Sequence, residues 1–180
     1  QEENMNKGQS VKKELVEWIQ SIAIAVVLAM VIRTFIFEPT LVEGPSMQPT
    51  LHSGERLLVM KIQYLFHKPE RGDIIVCKYP NREGNYIKRV VALENEVVEI
   101  SGGKVYINGE VLEEDYIKEP PLADMEAVKV PPGSLFVMGD NRNNSMDSRD
   151  STVGPILLSM VKGKANTVIW PIYNIHWLYE

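Results

Sequence analysis

An uncharged stretch near the amino terminus limits what this chain can fold into. No charged residue occurs from Trp18 to Ile32, and the apolar character continues past Arg33 to Phe37. A helix of about 20 residues, rising about 1.5 Å per residue, crosses a hydrocarbon core of about 30 Å. The sequence therefore predicts one transmembrane anchor over residues 15–37, preceded by a tail of residues 1–14.

Two other interpretations of the apolar stretch stay open, a cleaved signal peptide and a helix buried in a soluble core. We favour the anchor over the first because the stretch runs into Arg-Thr-Phe-Ile-Phe-Glu-Pro instead of a small-x-small cleavage site. The second is considered because the most apolar part, Ile22 to Ile32, is only eleven residues long. Lys7, Lys12 and Lys13 precede the stretch, so the positive-inside bias predicts a single-pass protein of the cell membrane with a cytoplasmic amino terminus.

Residues 38–180, which this orientation puts outside the cytoplasm, contain short apolar runs separated by turn residues. Runs of strand length, rich in β-branched residues, occur at Arg56–Met60, Asp73–Cys77, Ile87–Leu93, Val97–Ile100 and Leu135–Met138. Asn108-Gly109 is typical of a type I′ hairpin, and residues 103–134 are expected to form a loop or hairpin insertion. We therefore expect a mostly β chain, with a coiled antiparallel β-sheet domain and one amino-terminal transmembrane helix.

Composition excludes several classes of function. A net charge of −5 leaves no basic field for nucleic acid, so no such partner is expected. Cys77 is the single cysteine and lies in an apolar run, which favours a buried structural thiol. The sequence has no His-Glu-x-x-His or comparable spacing, so no metal is expected, and His52, His67 and His176 lie in no motif that favours a histidine base.

Ser46 lies in a backbone segment with little freedom. Pro45 and Pro49 restrict the main chain around it, and Gly44 permits unusual torsions. Such a segment can present a reactive hydroxyl. A turn serine that caps its own backbone is the alternative, because serine favours turns in any case.

Lys88 belongs to the strand-like run Tyr86-Ile87-Lys88-Arg89-Val90-Val91. Successive side chains of a strand point to opposite faces, so one of Lys88 and Arg89 should point inward. Arginine cannot be deprotonated in practice, so a base in this run has to be the lysine. Full burial lowers the pKa of lysine from about 10.4 by about 3 to 5 units, enough to make a base near neutral pH. A solvated strand lysine is the alternative.

Two further segments make the pattern specific. They are Arg71-Gly72-Asp73-Ile74-Ile75-Val76 and Met138-Gly139-Asp140-Asn141-Arg142-Asn143-Asn144-Ser145-Met146-Asp147-Ser148-Arg149. With Ser-Met-x-Pro-Thr-Leu and Tyr-Ile-Lys-Arg-Val-Val they resemble, in order, four boxes of the bacterial type I signal peptidases, the leader peptidases with a Ser-Lys dyad. The resemblance extends from Glu43 to Arg149, and the anchor before it matches as well.

This resemblance implies a role for each matching residue. Ser46 would be the nucleophile, Lys88 the general base that takes its proton, and Ser145 the hydroxyl that orients the lysine. Met47 and Ile87 flank the reactive side chains and are the candidates for the substrate pocket. The supporting positions would be Gly44, Pro49, Asp73, Asp140, Asn141, Arg142, Asp147 and Arg149.

The activity implied by the resemblance is that of a membrane-bound serine endopeptidase. It would remove signal peptides from exported preproteins after small residues, of the Ala-x-Ala type. The expected partners are preproteins, the phospholipid membrane and the secretion machinery, and no cofactor is implied.

Two positions depart from the family pattern. Gly44 stands where some members have a hydroxyl that donates to the oxyanion, so the oxyanion hole would rely on the Ser46 N–H and another backbone donor or water. Val91-Ala92-Leu93-Glu94-Asn95-Glu96 replaces the usual Gly-Leu-Pro-Gly-Asp turn, which predicts a different loop and the same chemistry.

Two alternatives come from other classes of protein. LexA-like self-cleaving repressors also use serine and lysine, but they carry a DNA-binding region where this chain has its apolar stretch. A non-enzymatic, membrane-tethered β domain is the other alternative. It would tolerate Ser46→Ala and Lys88→Ala without loss of function, whereas an enzyme would not.

Overall fold

The protein is represented by a computed structural model that describes residues 2–179, without the side chains of residues 2–12 and of Leu65. The chain divides into two compact units, Gln1–Phe37 and Glu38–Glu180. The first unit contains one long helix, and the second contains the β-sheets.

The amino-terminal unit consists of helix α1, Glu2–Val31, continued by a π-helical segment, Ile32–Ile36. Helix α1 begins within the segment predicted to be a tail. The 24-residue segment Lys13–Ile36 is long and apolar enough to cross a membrane, and none of its side chains is buried. A helix buried in a soluble core, one of the alternatives above, therefore does not fit. Lys7 and Lys12, on which the predicted orientation rests, lie outside the described side chains.

The second unit is mostly β, as predicted. Its strands are β1 Phe37–Leu41, β2 Arg56–Met60, β3 Ile74–Cys77, β4 Tyr86–Ala92, β5 Val97–Ser101, β6 Lys104–Ile107, β7 Glu110–Val111, β8 Met125–Lys129, β9 Ser134–Met138, β10 Ile156–Leu157, β11 Val161–Trp170 and β12 His176–Trp177. A short helix α2 covers Gln63–Phe66, and 3-10 turns cover Arg142–Asn144, Leu158–Met160 and Ile172–Asn174.

These strands form two curled antiparallel sheets. The larger has the order β1-β2-β11-β3-β4-β9-β10, with β12 paired to β11, and the smaller has the order β7-β6-β5-β8. The ten-residue strand β11 is absent from the sequence prediction. Its buried positions include Gly163, Ala165 and Thr167, which are small or polar and give no hydrophobic alternation.

The predicted hairpin at Asn108-Gly109 is present. Asn108 and Gly109 have φ angles of 52° and 86°, and Ile107 pairs with Glu110 across the turn. A type I′ turn requires positive φ at both central residues, which Asn and Gly tolerate. The segment 103–134 carries β6, β7 and β8, so three strands of the smaller sheet come from it.

Strands β3, β4 and β9 are covered by apolar side chains on both faces. Ile74 and Val76 of β3 pack in one core cluster, and Ile75 and Cys77 pack in another on the opposite face. Strand β4, which lies between β3 and β9, is buried from Ile87 to Ala92. Lys88 and Arg89 are therefore both buried, at 3% and 7% exposure, whereas alternation alone predicted only one of them to point inward.

Candidate active site

The serine predicted to be the nucleophile lies in the turn between β1 and β2. Its neighbours Met47 and Leu51 are buried in the core cluster that β2, β3 and β11 share. Gly44 has a φ angle of +82°, a value that a residue with a side chain rarely adopts, and the Gln48-Pro49 peptide is cis. The turn is anchored by its apolar residues, while Ser46 itself remains partly exposed.

The lysine and the serine meet across the fold. Nζ of Lys88 lies 2.9 Å from Oγ of Ser46 and donates a 2.8 Å hydrogen bond to the carbonyl O of Ile87. Strand β4 directs the lysine into the protein interior from position 88, and the β1–β2 turn brings the hydroxyl to it from position 46. A neutral amine has one lone pair, so in this geometry it can accept the proton of the serine hydroxyl.

Burial also sets the protonation of Lys88. The pKa of its ammonium is lowered because burial removes water from the charge, even though the negative charge of Asp147 acts in the opposite direction. Asp147 itself is paired with Arg149, and Asp140 is paired with Arg89. The nearby carboxylates are therefore neutralised by arginines, which limits how far they can favour the lysine ammonium.

The three histidines lie elsewhere. His52, His67 and His176 are exposed on the surface, and His176 Nδ1 lies 2.8 Å from the carbonyl O of Asn174. The polar side chain that contacts the Ser46 hydroxyl is Lys88. Cys77 is buried and burial raises the pKa of its thiol to about 12, as suits a structural cysteine.

Ser145 lies beside the reactive pair but does not hydrogen-bond to Lys88 here. Its Oγ is buried and has no hydrogen-bond partner among the described residues. Gly139 separates it from the serine turn, because a Cβ at Gly139 would lie 2.5 Å from the carbonyl O of Ser46 and closer still to Oγ of Ser145. The hydrogen bonds of Lys88 Nζ go to Ser46 and to the carbonyl O of Ile87, so the bond implied by the resemblance is not formed in this structure.

Asn141 and Asp140 hold the serine turn against the end of β9. The backbone N–H of Asn141 donates to the carbonyl O of Ser46 at 3.0 Å, and its side-chain amide donates to Pro45 O at 3.1 Å. Asp140 accepts two hydrogen bonds from Arg89, at 2.9 and 2.7 Å, and one of 2.5 Å from Thr50. Both ends of the turn that contains Ser46 are thus hydrogen-bonded to residues 140 and 141.

A second ion pair fixes the loop after β9. Arg149 donates to both carboxylate oxygens of Asp147 at 2.8 Å and to the carbonyl O of Arg142 at 2.6 Å. Asp147 also accepts from the N–H of Gly139 at 2.9 Å. The loop that carries Ser145 is therefore closed on itself by charged hydrogen bonds.

Asp73 supports the sheet at the start of β3. Its carboxylate lies 2.5 Å from Nζ of Lys164 and accepts hydrogen bonds from Tyr64 OH and from the N–H of Glu70. Lys164 is on β11, so Asp73 ties the beginning of β3 to the neighbouring strand.

A groove of about 290 Å³ opens beside the Ser46 hydroxyl. Met47 and Ile87, the pocket candidates, both line it, together with Lys88. The remaining walls come from residues 41–44 and 83–86. The groove is therefore bordered by two backbone stretches, and Met47 and Ile87, which are both buried, form part of its wall.

Three residues near the site were missed by the sequence analysis as functional candidates: Arg89, Glu114 and Tyr116. The burial of Arg89 could have been predicted from the sequence, because apolar residues occupy both faces of β4. Glu114 stands between Glu113 and Asp115, and nothing in that acidic run distinguishes it. Only the tertiary structure shows that Glu114 pairs with Arg142.

A serine hydroxyl next to a buried amine, on a curled antiparallel sheet, is the arrangement of a serine peptidase. The comparisons with known proteins agree with that class and narrow it. The profile of the family described as "Signal peptidase, peptidase S26" matches residues 15–170. The chain therefore belongs to this family, and it is a hydrolase that removes signal peptides.

Individual relatives cover most of the chain. Signal peptidase I of Bacillus licheniformis is 42% identical over 94% of this chain and 96% of its own. Probable signal peptidase I-1 of a Synechocystis strain is 48% identical over 73% of this chain and 71% of its own. The crystal structure of a signal peptidase I from Enterococcus faecalis V583 is 34% identical, covers 54% of this chain and 97% of that one, and has a TM-score of 0.49. Membership of a peptidase family removes the non-enzymatic β domain as an alternative.

Proposed function

We propose that the chain cleaves preproteins with Ser46 as nucleophile and Lys88 as general base. The observation that carries this proposal is the 2.9 Å contact between Nζ and Oγ, in surroundings that lower the pKa of the lysine. Proximity and a neutral amine are the two conditions that a lysine base requires.

The reaction proceeds in two steps, acylation of Ser46 and hydrolysis of the acyl-enzyme. The Oγ–H proton passes to the Lys88 amine as Oγ bonds to the scissile carbonyl carbon. The resulting ammonium then protonates the leaving nitrogen as the C–N bond breaks, which leaves an acyl-enzyme. In the second step Lys88 takes a proton from water as the water oxygen bonds to the acyl carbon. The bond between that carbon and Oγ then breaks, and Lys88 returns the proton to Oγ, which releases the carboxylic acid product.

The oxyanion hole would be built from backbone. Gly44 has no side chain that could donate, so the Ser46 N–H and a second backbone donor or a water molecule would bind the carbonyl oxygen. A single donor of this kind typically contributes about 10²-fold to the rate. The rigid turn around Ser46 would hold its N–H in place without help from a side chain.

The groove beside Ser46 accounts for a preference for small residues. An extended signal-peptide segment lying along residues 41–44 and 83–86 would form main-chain hydrogen bonds with them. Met47 and Ile87 would then leave room for a small P1 or P3 side chain such as alanine and exclude larger ones. A preference of the Ala-x-Ala type would follow from this limited room.

The supporting residues act on the catalytic pair through other groups. In this proposal Ser145 rotates to accept a hydrogen bond from the Lys88 amine when substrate is bound, which uses its otherwise unpaired buried Oγ. Asp140 and Asn141 keep the Ser46 turn in place, and the Asp147–Arg149 pair keeps Ser145 in place.

The apolar helix would place this activity at its substrate. The amino terminus would face the cytoplasm and residues 38–180 the outer side of the cell membrane, where the signal sequence of a preprotein is still embedded. In that position the secretion machinery would deliver the substrate close to Ser46.

The proposal is tested by incubating the purified full-length chain with a preprotein and sequencing the new amino terminus. We expect one cut after an Ala-x-Ala type sequence, and loss of cutting in both Ser46→Ala and Lys88→Ala with unchanged circular dichroism. His52→Ala serves as a matched control for a residue that is exposed and near in sequence, and it should cut normally. Retained cutting by folded Ser46→Ala would overturn the proposal.

A further inference from the structure

We infer that Glu114 and Tyr116 are positioning residues for the reaction, acting through the two buried arginines Arg89 and Arg142. Both follow strand β7 of the smaller sheet, in a segment to which the sequence motifs assign nothing. The inference rests on the proposed function of Ser46 and Lys88, and it assigns to the smaller sheet a part in catalysis.

Glu114 is the carboxylate that neutralises Arg142. Its two oxygens accept hydrogen bonds from Nη1 and Nη2 at 2.8 and 2.6 Å, and the side chains of Arg142 and Glu114 are 0% and 5% exposed. Burial alone would oppose the charge of this arginine, but the hydrogen bonds and negative charge of Glu114 raise the pKa of Arg142. A buried, bidentate pair of this kind fixes both partners in direction as well as in charge.

Tyr116 joins the two arginines. Its ring centre lies 4.0 Å from the guanidinium carbon of Arg89 and 5.9 Å from that of Arg142, and its hydroxyl donates to Glu114 at 2.9 Å. An aromatic face attracts a desolvated cation, so the ring of Tyr116 helps to hold the Arg89 guanidinium in place. The segment also reaches Asp140 through the N–H of Lys118, which donates to its carbonyl O at 3.1 Å.

Both arginines hydrogen-bond to residues that contact the Ser46 turn. Arg142 donates through Nε to the carbonyl O of Gly139 at 3.1 Å, and Gly139 lies against Ser46 and Ser145. Arg89 holds Asp140 with two hydrogen bonds, and the next residue, Asn141, binds the carbonyl O of Ser46. A displaced Glu114 or Tyr116 would therefore move the Ser46 turn relative to Lys88. Small misplacements of reacting groups lower rates strongly, because the reacting atoms must be aligned.

The test compares Glu114→Gln with Glu113→Gln in the full-length chain, using a preprotein as substrate. Both variants remove one negative charge, at adjacent positions, but only Glu114 contacts Arg142, whereas Glu113 is exposed. We expect Glu114→Gln to lower kcat by about 10-fold to 100-fold with KM within about 2-fold, as removal of an orienting partner typically does. Glu113→Gln should match the wild type, and Glu114→Asp should recover part of the lost kcat.

A second pair of variants separates positioning from general stability. Tyr116→Leu removes the ring beside Arg89 and the hydroxyl bonded to Glu114, but it keeps every charged side chain, so it keeps the inference testable if Glu114→Gln fails to fold. Val105→Ala weakens the buried apolar cluster of the same sheet. At a temperature at which both are fully folded, Tyr116→Leu should lose kcat and Val105→Ala should not.

The outcomes are distinct. Full kcat in folded Glu114→Gln and Tyr116→Leu would overturn the inference, as would an equal loss of kcat in Val105→Ala. A folded Ser46→Ala that still cuts would instead overturn the proposed function on which the inference rests.

Discussion

At the scale of single residues, the proposed chemistry depends on the burial of the Lys88 side chain. The same side chain on an exposed strand would be an ordinary ammonium, because water stabilises the charge. Here Ile75, its register partner on β3, and the core on that face remove the water. In the proposed mechanism the lysine can serve as a base because it is buried, and this burial also costs stability.

The pH dependence follows from the lowered pKa of Lys88. Activity should rise with pH as the amine loses its proton, with a midpoint below the ordinary lysine value of about 10.4. A rate profile that stays flat from about pH 6 to 10 would contradict a lysine base. The measurement is kcat/KM for a peptide substrate across that range.

The same shift predicts that Lys88→Met stabilises the protein near neutral pH. Between the lowered folded pKa and the unfolded value, the unfolded chain binds more protons, so the stability of the wild type rises with pH there and is lowest below the folded pKa. Lys88→Met lacks this penalty. Its Tm should exceed that of the wild type at pH 7, and the difference should shrink toward pH 10. An equal difference at both pH values would contradict the prediction.

Gly139 is a residue whose lack of a side chain is required by the site. We expect Gly139→Ala to lower kcat by about 100-fold, since its Cβ would press on both Ser46 and Ser145 and displace reacting groups. Gly163→Ala is the matched control. Gly163 lies on β11, and its added Cβ would be 2.7 Å from the carbonyl O of Met60 instead of pressing on Ser46. Both variants should lose about 1 to 3 kcal/mol of stability, measured by urea unfolding, but only Gly139→Ala should lose activity.

At the scale of elements, the carboxyl-terminal segment completes the large sheet. Strand β12 pairs with β11, and Leu178 and Tyr179 pack against the core that contains Met47 and Leu51. The hydroxyl of Tyr179 accepts a 2.6 Å hydrogen bond from the buried N–H of Ile74, and Nζ of Lys164 lies 4.2 Å from the ring centre. Tyr179 therefore stabilises the start of β3.

This contact predicts a stability effect of one hydroxyl. Tyr179→Phe keeps the ring but leaves the Ile74 N–H without its acceptor, which should cost about 1 to 3 kcal/mol. Tyr173→Phe makes the same chemical change at a side chain that is 92% exposed and should cost almost nothing. Urea unfolding of the two variants decides, and equal midpoints would show that the Ile74 contact is not needed.

At the scale of the whole molecule, the chain has two units of different structure, one with the long apolar helix and one with the β-sheets. The core clusters of the second unit are built from residues 42–179. The helix exposes apolar side chains that a bilayer would cover. The buried core and the candidate active site thus lie in the second unit, and the segment long and apolar enough to span a membrane lies in the first.

This division predicts the behaviour of a chain shortened to residues 36–180, in which strand β1 remains whole. It should unfold in one cooperative transition and cleave a short soluble peptide at a rate within about 3-fold of the full chain, since the catalytic groups are unchanged. Cleavage of a preprotein embedded in vesicles should fall by about 10²-fold or more, because a shared membrane no longer raises the effective concentration. Equal loss on both substrates would mean that the helix is needed for the fold.

The sequence by itself determined the apolar helix, most strands, the Asn108-Gly109 hairpin and the family, because each depends on periodicity or on residues close together in the chain. Only the tertiary structure decided that Lys88 reaches Ser46, that Arg89 is buried as well, and that Glu114 and Tyr116 contact the arginines beside the serine turn. Strand β11 was hidden because three of its four buried residues, Gly163, Ala165 and Thr167, are small or polar. Local patterns record how a segment meets solvent, whereas these contacts join residues far apart in sequence, and their partners are set by the packing of whole strands.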